Sequence, residues 1–347
     1  MNTKQKIAVA LGLLISALFL WFAFRNLDPQ TVIEEIRTAN LPLLLLAAGW
    51  YFVAVSVITL RWDFLLRAIK PVGVRRLFPL VCIGYMGNNV YPFRSGEALR
   101  IYLLRRNEGV PIVKATTTVL VERVFDGLVM LTFIVVPLLF IDNTSEDIRN
   151  VATFAAPIFL TALALFFALA ARPNLLRKLV EMVSRLLPGK IGELVSRLSE
   201  DVIDGLEGLR SPANLAGTVI SSYVTWSLEA SVYWLVAIAF DLNVSYAVML
   251  VTVGTVNLAG LIPASPGQLG VFEFFVSAVL IGAGVLETRA VSYAIVVHLV
   301  IWLPVTLAGF AFLAQQGLGW NAVTHARDLQ AEKQTDINTD ALQSEEN

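Results

Sequence analysis

Cysteine is close to absent. Cys82 stands alone, so the chain can form no internal disulfide and no multi-cysteine metal site. Histidine is nearly as scarce, with only His298 and His325, too few for a histidine-built metal centre. Neither a metal nor an organic cofactor is therefore expected. Charge is thin as well: 15% of residues are Asp, Glu, Lys or Arg, against roughly 25% in soluble domains. A net charge of −1 leaves no basic excess to attract nucleic acid. No G-x-x-x-x-G-K-[ST] segment occurs, so ATP hydrolysis by this chain is not expected. What the 347 residues do hold is apolar: 56% are hydrophobic and the mean hydropathy is +0.70. That composition excludes a water-soluble globule and predicts an all-α polytopic membrane protein.

Apolar runs of spanning length cover Ile7–Phe24, Leu41–Leu60, Thr117–Ile141, Val151–Ala171, Leu215–Phe240 and Ala290–Gln315. Each can cross a hydrocarbon core about 30 Å thick. The first follows Lys4 and Lys6 as a signal peptide would. It ends in Phe19-Leu20-Trp21-Phe22-Ala23-Phe24-Arg25 without a small-x-small site, and so reads as an uncleaved span. Two other stretches are punctuated. Leu77–Tyr91 is short and runs into Pro92; Ser245–Ile262 runs into Pro263, and Val271–Leu286 follows. Short segments interrupted by Pro and Gly read as re-entrant or broken helices. The expected fold is therefore about six full spans plus two Pro/Gly-broken re-entrant helical hairpins of opposed orientation, in a single transmembrane domain over residues 1–316.

Positive charge sets the expected orientation. Lys4 and Lys6 precede the first span; Arg61, Arg67, Lys70, Arg75 and Arg76 follow the second; Asp142, Glu146 and Asp147 make the loop 142–150 acidic. The alternation puts both termini in the cytoplasm and that loop outside; the expected location is a plasma (inner) membrane of bacterial type. Residues 172–212 read as a cytoplasmic amphipathic loop, with Leu175, Leu179, Val183, Leu186 and Leu187 on one side. An interfacial helix and a docked connector fit that pattern equally. The tail 317–347 is too polar to fold and is expected to be disordered.

The two breaks share their punctuation. Asn88-Asn89-Val90-Tyr91-Pro92-Phe93-Arg94-Ser95-Gly96-Glu97 and Asn257 through Pro263-Ala264-Ser265-Pro266-Gly267-Gln268 both carry an upstream Asn and Pro-x-x-x-Gly followed by Glu or Gln. Proline removes an N–H and glycine permits the turn. Backbone freed this way has to be buried in protein or face a wet cavity. Glu122, Arg123 and Asp126 precede an apolar stretch too short to span, so a full span has to include them on one helix side, unless they snorkel at its end. Glu229 lies mid-span, where an acid is costly unless neutral or paired: either a functional group or the partner of an Arg from a break. Arg94 and Arg100 flank Glu97 beside the first break and suit phosphate, while Arg105 and Arg106 read as surface anchors. Glu273 opens the helix after Gly270, where the dipole alone favours a carboxylate. Cys82 reads as inert packing and His298 as a satisfied core residue.

Three motifs together resemble a known family. Asn-x-x-Pro-x-Arg-x-Gly-Glu-x-x-Arg from Asn89 to Arg100, Glu-Arg-x-x-Asp from Glu122 to Asp126, and Ile-Pro-x-Ser-Pro-Gly-x-Leu-Gly-x-x-Glu from Ile262 to Glu273 are similar to the transmembrane, flippase-like domain of lysylphosphatidylglycerol synthases. The resemblance runs from about Lys6 to Gln315. It implies movement of a lipid between leaflets, and a site carried or shaped by Arg94, Gly96, Glu97, Arg100, Glu122, Arg123, Asp126, Pro263, Pro266, Gly267, Gly270 and Glu273. The full synthases continue into a soluble aminoacyl-transfer domain where this sequence has a short polar tail, so synthase activity is not implied. Stand-alone members have been linked to diverse lipids, including isoprenoid-linked sugars and hopanoids. The expected partner is a lipid with a charged headgroup, with a lipid-modifying enzyme encoded separately. The other readings are a membrane enzyme using these carboxylates on a lipid-linked substrate and a non-catalytic membrane subunit.

Overall fold

Every regular element among the described residues is helical. The computed structural model describes residues 3–25, 27–67, 69–91, 95–139 and 211–317, with isolated positions between 157 and 189. Pro92, Arg94, the acidic loop 142–150, the tail 318–347 and all but isolated positions of the expected span 151–171 and the loop 172–212 lie outside the described residues.

Helix α1 (Thr3–Phe24) is followed by α2 (Pro29–Thr38), a short helix absent from the hydropathy reading. Its start is set locally: Asp28 accepts the Gln30 N–H at 3.1 Å, and Pro29 supplies the pre-set φ of a first helical residue. Asn40 caps α3 (Leu41–Leu66) in the same way, accepting the Leu43 N–H at 3.2 Å. Helix α3 does not stop at Leu60. Trp62, Leu65 and Leu66 continue its buried face for another turn and a half, which draws Arg61 and Asp63 into the helix. The placement of Arg61 in a cytoplasmic loop is corrected by this extension.

After α4 (Val74–Val90) and α5 (Ser95–Glu108) come α6 (Ile112–Val135), α7 (Pro212–Ala239), α8 (Tyr246–Ala259), α9 (Val271–Gly282) and α10 (Glu287–Gln315). At 1.5 Å per residue, α3, α6, α7 and α10, of 26, 24, 28 and 29 residues, each reach about 36 Å or more. Helices α3 and α10 are also apolar enough to cross a membrane by composition alone. By contrast α8 and α9 have 14 and 12 residues, too few to cross singly. Helix α3 packs along α7 and α4 along α10, around buried Ile58, Trp62, Tyr233 and Tyr293.

Each broken segment folds back on itself. Helix α5 returns along α4, and the two backbones touch where a Cβ on Gly96 would fall 1.8 Å from the Gly84 carbonyl oxygen. The Gly96 N–H donates to Asn88 Oδ1 at 3.0 Å, which satisfies a donor at the start of α5. Helix α9 returns along α8 through a 3-10 turn at Pro266–Gln268. Gly267 and Gly270 have φ of +69° and +85° there, a region that side chains other than glycine's rarely enter.

Candidate functional site

Three helices converge on two acids. Arg61 of α3 sits 3.0 Å from Glu122 and also binds Asp126, both on α6. Arg100 of α5 forks onto Glu122 at 3.0 and 3.4 Å, with its guanidinium 4.2 Å above the Trp62 ring. Arg123 reaches Glu122 at 2.9 Å, Asp126 at 3.2 Å and Glu97 at 3.8 Å. Trp226 Nε1 donates to Asp126 at 2.8 Å. Arg61 and Glu122 are each 1% exposed, which excludes snorkelling at a helix end. Burying charges this deeply is costly, and mutual pairing of three guanidinium groups with three carboxylates is what offsets it.

The cluster forms one wall of a cavity of about 820 Å³. Glu97, Arg100, Arg123 and Asp126 line that wall, and Glu229 and Asn257 line another part of it. Tyr51, Tyr85, Trp226 and Tyr233 supply aromatic surface between them. Arg123 keeps 36% of its side chain accessible, whereas Arg61 and Arg100 are shut in at 1% and 6%. Among the described arginines of this cluster, Arg123 is therefore the one most open to a ligand in the cavity.

Both breaks meet in this cavity. Asn89, at the end of α4, donates to Thr306 Oγ1 at 2.8 Å. Gly267 of the second turn lies against it, since a Cβ there would come within 3.2 Å of the Asn89 carbonyl oxygen and 2.8 Å of Trp302 Nε1. Pro263, Pro266 and Gly267 line the cavity from the second break, and Asn89 and Gly96 from the first. Glu229 lines the cavity with Asn257 and forms no ion pair among the described residues, so the alternative of a partner arginine finds no support there.

Glu273 stands apart. One carboxylate oxygen accepts the Gly270 N–H at 2.6 Å, satisfying a donor at the start of α9, and the other meets His298 Nδ1 at 2.6 Å. The His298 ring stacks on Phe272 with centroids 4.1 Å apart. One oxygen thus caps α9 and the other ties it to α10. Glu273→Ala is therefore expected to destabilise the protein by ~1–3 kcal/mol, the cost of stranding buried donors. Thermal unfolding in detergent checks this; an unshifted melting temperature would mean that the cap carries no weight.

Arg105 and Arg106 are exposed at the end of α5, as surface anchors would be, and Cys82 is fully buried among apolar side chains. Sequence reasoning missed Arg61 and the cavity tyrosines, and it placed Asn88 in the first break without assigning it a role. The signal for Arg61 was present: Trp62, Leu65 and Leu66 continue the helical spacing past it.

Known proteins are similar to this chain over most of its length. A family model described as the lysylphosphatidylglycerol synthase TM region matches residues 9–309. A UPF0104 membrane protein of Methanothermobacter thermautotrophicus is 26% identical over 86% of this chain and 90% of its own length. A UPF0104 membrane protein of Pyrococcus horikoshii is 21% identical over 91% and 98%. A protein of Haloferax volcanii called glycosyltransferase AglD is 26% identical over 85% of this chain, which spans only about half (52%) of that longer protein. The matched stretch takes in both broken hairpins and the buried arginine–carboxylate cluster between them, and it places this chain in the lysylphosphatidylglycerol synthase transmembrane-region family, as an integral membrane protein.

Proposed function

We propose that this protein moves a lipid between membrane leaflets, with a charged headgroup lodged in the cavity where the two breaks meet. The observation that carries the reading is the cavity itself: about 820 Å³, walled by both broken hairpins, with Arg123 and Glu229 on its surface. A spanning protein can keep broken backbone and charge at this depth only where they face protein or a polar lumen. In this reading α4–α5 and α8–α9 are re-entrant hairpins that enter from opposite faces, alongside about six spans. Both termini are cytoplasmic and the loop 142–150 is external. Arg123, with Arg94 near the first break, receives the headgroup phosphate. Glu122 and Asp126 hold the arginines in place, and Glu97 and Glu229 face the remainder of the headgroup.

An acid–base enzyme fits the site less well. Glu122 and Asp126 already accept guanidinium and indole donors, which leaves them little freedom to exchange protons with a substrate.

Reconstitution of the purified protein into liposomes carrying fluorescent phospholipid tests the reading. Leaflet exchange faster than in protein-free vesicles supports it; a covalent lipid product without exchange would replace it with the enzyme. In the same assay Arg123→Ala is expected to slow exchange by about tenfold or more, since a charged hydrogen bond contributes roughly 1.5–3 kcal/mol. Arg105→Ala should leave the rate within about twofold, because an exposed charge contributes little. Equal rates for the two variants at equal protein levels would remove Arg123 from the site.

A further inference from the structure

A headgroup in the cavity leaves its acyl chains to be accommodated, and one stretch of cavity wall is built differently from the rest. Leu11 and Gly12 of α1 line the cavity beside Leu261 and Ile262 of the second break. Leu11 and Leu261 are nonetheless 49% and 77% exposed, so the wall here is one side chain thick. The same cavity is lined by Glu229, 5% exposed and without an ion-pair partner among the described residues.

Helix α1 buries few side chains and meets the second break mainly through small residues. Among its described side chains only Gly12, Ser16 and Ala23 are buried. Gly12 and Ser16 are four apart, on one face, and that face lies against the second break. Ser16 Oγ donates to Ser265 Oγ at 2.8 Å and accepts the Ser265 N–H at 2.9 Å. A Cβ on Gly12 would come within 3.0 Å of the Ala264 carbonyl oxygen. Small residues of this kind let backbones approach closely and be joined by hydrogen bonds. Further contacts of α1 run toward α9: Gly270, where a Cβ would overlap the Ser16 carbonyl oxygen, and the rings of Phe274 and Phe275, which Phe19 meets at 5.1 and 5.8 Å between centroids.

We propose that the seam between Gly12/Ser16 and Ser265 is a lateral portal for lipid acyl chains. Helix α1 parts from the second break, pivoting on its aromatic contacts with α9, and the chains extend past Leu11 and Leu261 into the bilayer while the headgroup stays in the charged cavity. The Ser16–Ser265 pair is the latch that closes the portal between passages. This rests on the lipid-moving reading above.

The latch geometry supplies the test, because hydroxyl oxygens 2.8 Å apart stand close to where the two sulfurs of a disulfide would. In a Cys82→Ala background, Ser16→Cys and Ser265→Cys together are oxidised in liposomes, and cross-linking is verified by loss of free thiol. Leaflet exchange of fluorescent phospholipid is expected to fall by about tenfold or more on oxidation and to return on reduction, as for a closed gate. Each single-cysteine variant should be indifferent to oxidant. A fully cross-linked protein that exchanges lipid at its reduced rate would overturn the portal. A second measurement keeps the portal testable should the double variant not fold or the protein move no lipid. A diacyl phospholipid bearing a photoreactive group along one acyl chain is expected to label the peptides holding Leu11 and Leu261 several-fold above other lipid-facing helices in the wild-type protein. Labelling spread evenly over all apolar faces would overturn it, whatever the outcome for transport.

Discussion

Arg61→Ala is expected to be the most damaging single substitution of a charged residue in this protein. The side chain is 1% exposed and bridges Glu122 and Asp126 from another helix. Its removal leaves two acids sharing two guanidinium groups, one of which, Arg100, is already committed to Glu122. Stripping one partner from a buried ion network costs about 3–5 kcal/mol, comparable to a large part of a typical domain's stability. The expected outcome is a sharply reduced folded yield and a lowered melting temperature in detergent. Arg61→Ala combined with Asp126→Asn should recover part of the loss, because the uncompensated carboxylate goes with the guanidinium. A variant as stable as wild type, or a double variant worse than the sum of the single ones, would contradict the role assigned to this network.

The second large effect is steric. Gly96→Ala is expected to split the first hairpin. An added methyl would sit 1.8 Å from the Gly84 carbonyl oxygen and 2.6 Å from the Asn88 backbone nitrogen, both backbone atoms that no side-chain rotation can move. Helices α4 and α5 would have to separate by more than an ångström. Overpacking of this kind costs about 1–3 kcal/mol or more, and the separation also breaks the Gly96–Asn88 hydrogen bond. Glu97 and Arg100 ride on α5, so the same shift withdraws them from Arg123 and Glu122. Loss of activity should therefore exceed loss of folded protein. Gly127→Ala is the matched control, because a Cβ there meets nothing within 4 Å. Wild-type activity in Gly96→Ala would mean that the hairpin packs otherwise.

Sequence reasoning reached the elements whose physics is local. Apolar length placed α3, α7 and α10, and Pro-x-x-x-Gly marked both breaks, because proline and glycine act on the backbone where they stand. Helix-face spacing put Glu122, Arg123 and Asp126 together within α6. Three-dimensional partners were out of its reach. Nothing in the run Thr59-Leu60-Arg61-Trp62 states that Arg61 will meet an acid 61 positions away on another helix. A basic residue following an apolar run also has a ready alternative meaning as a cytoplasmic anchor, and that meaning prevailed. Glu273 shows the reverse: a carboxylate in the shared motif turns out to bind the Gly270 N–H and His298. The short helix α2 escaped notice because its start rests on an aspartate cap and a proline, too short a signal for hydropathy.

The central claim is that the cavity beside Asp126 receives a phospholipid headgroup, and Gly127→Cys reads it directly. Gly127 lies one turn from Arg123 on the cavity-lining side of α6, in open space, and Cys82→Ala removes the one competing thiol. A small hydrophilic thiol reagent should modify Gly127→Cys in detergent. Diacyl phospholipid should slow that modification several-fold, while diacylglycerol, which has the same tails and no phosphate, should not. Equal protection by both lipids, or by neither, would contradict the account.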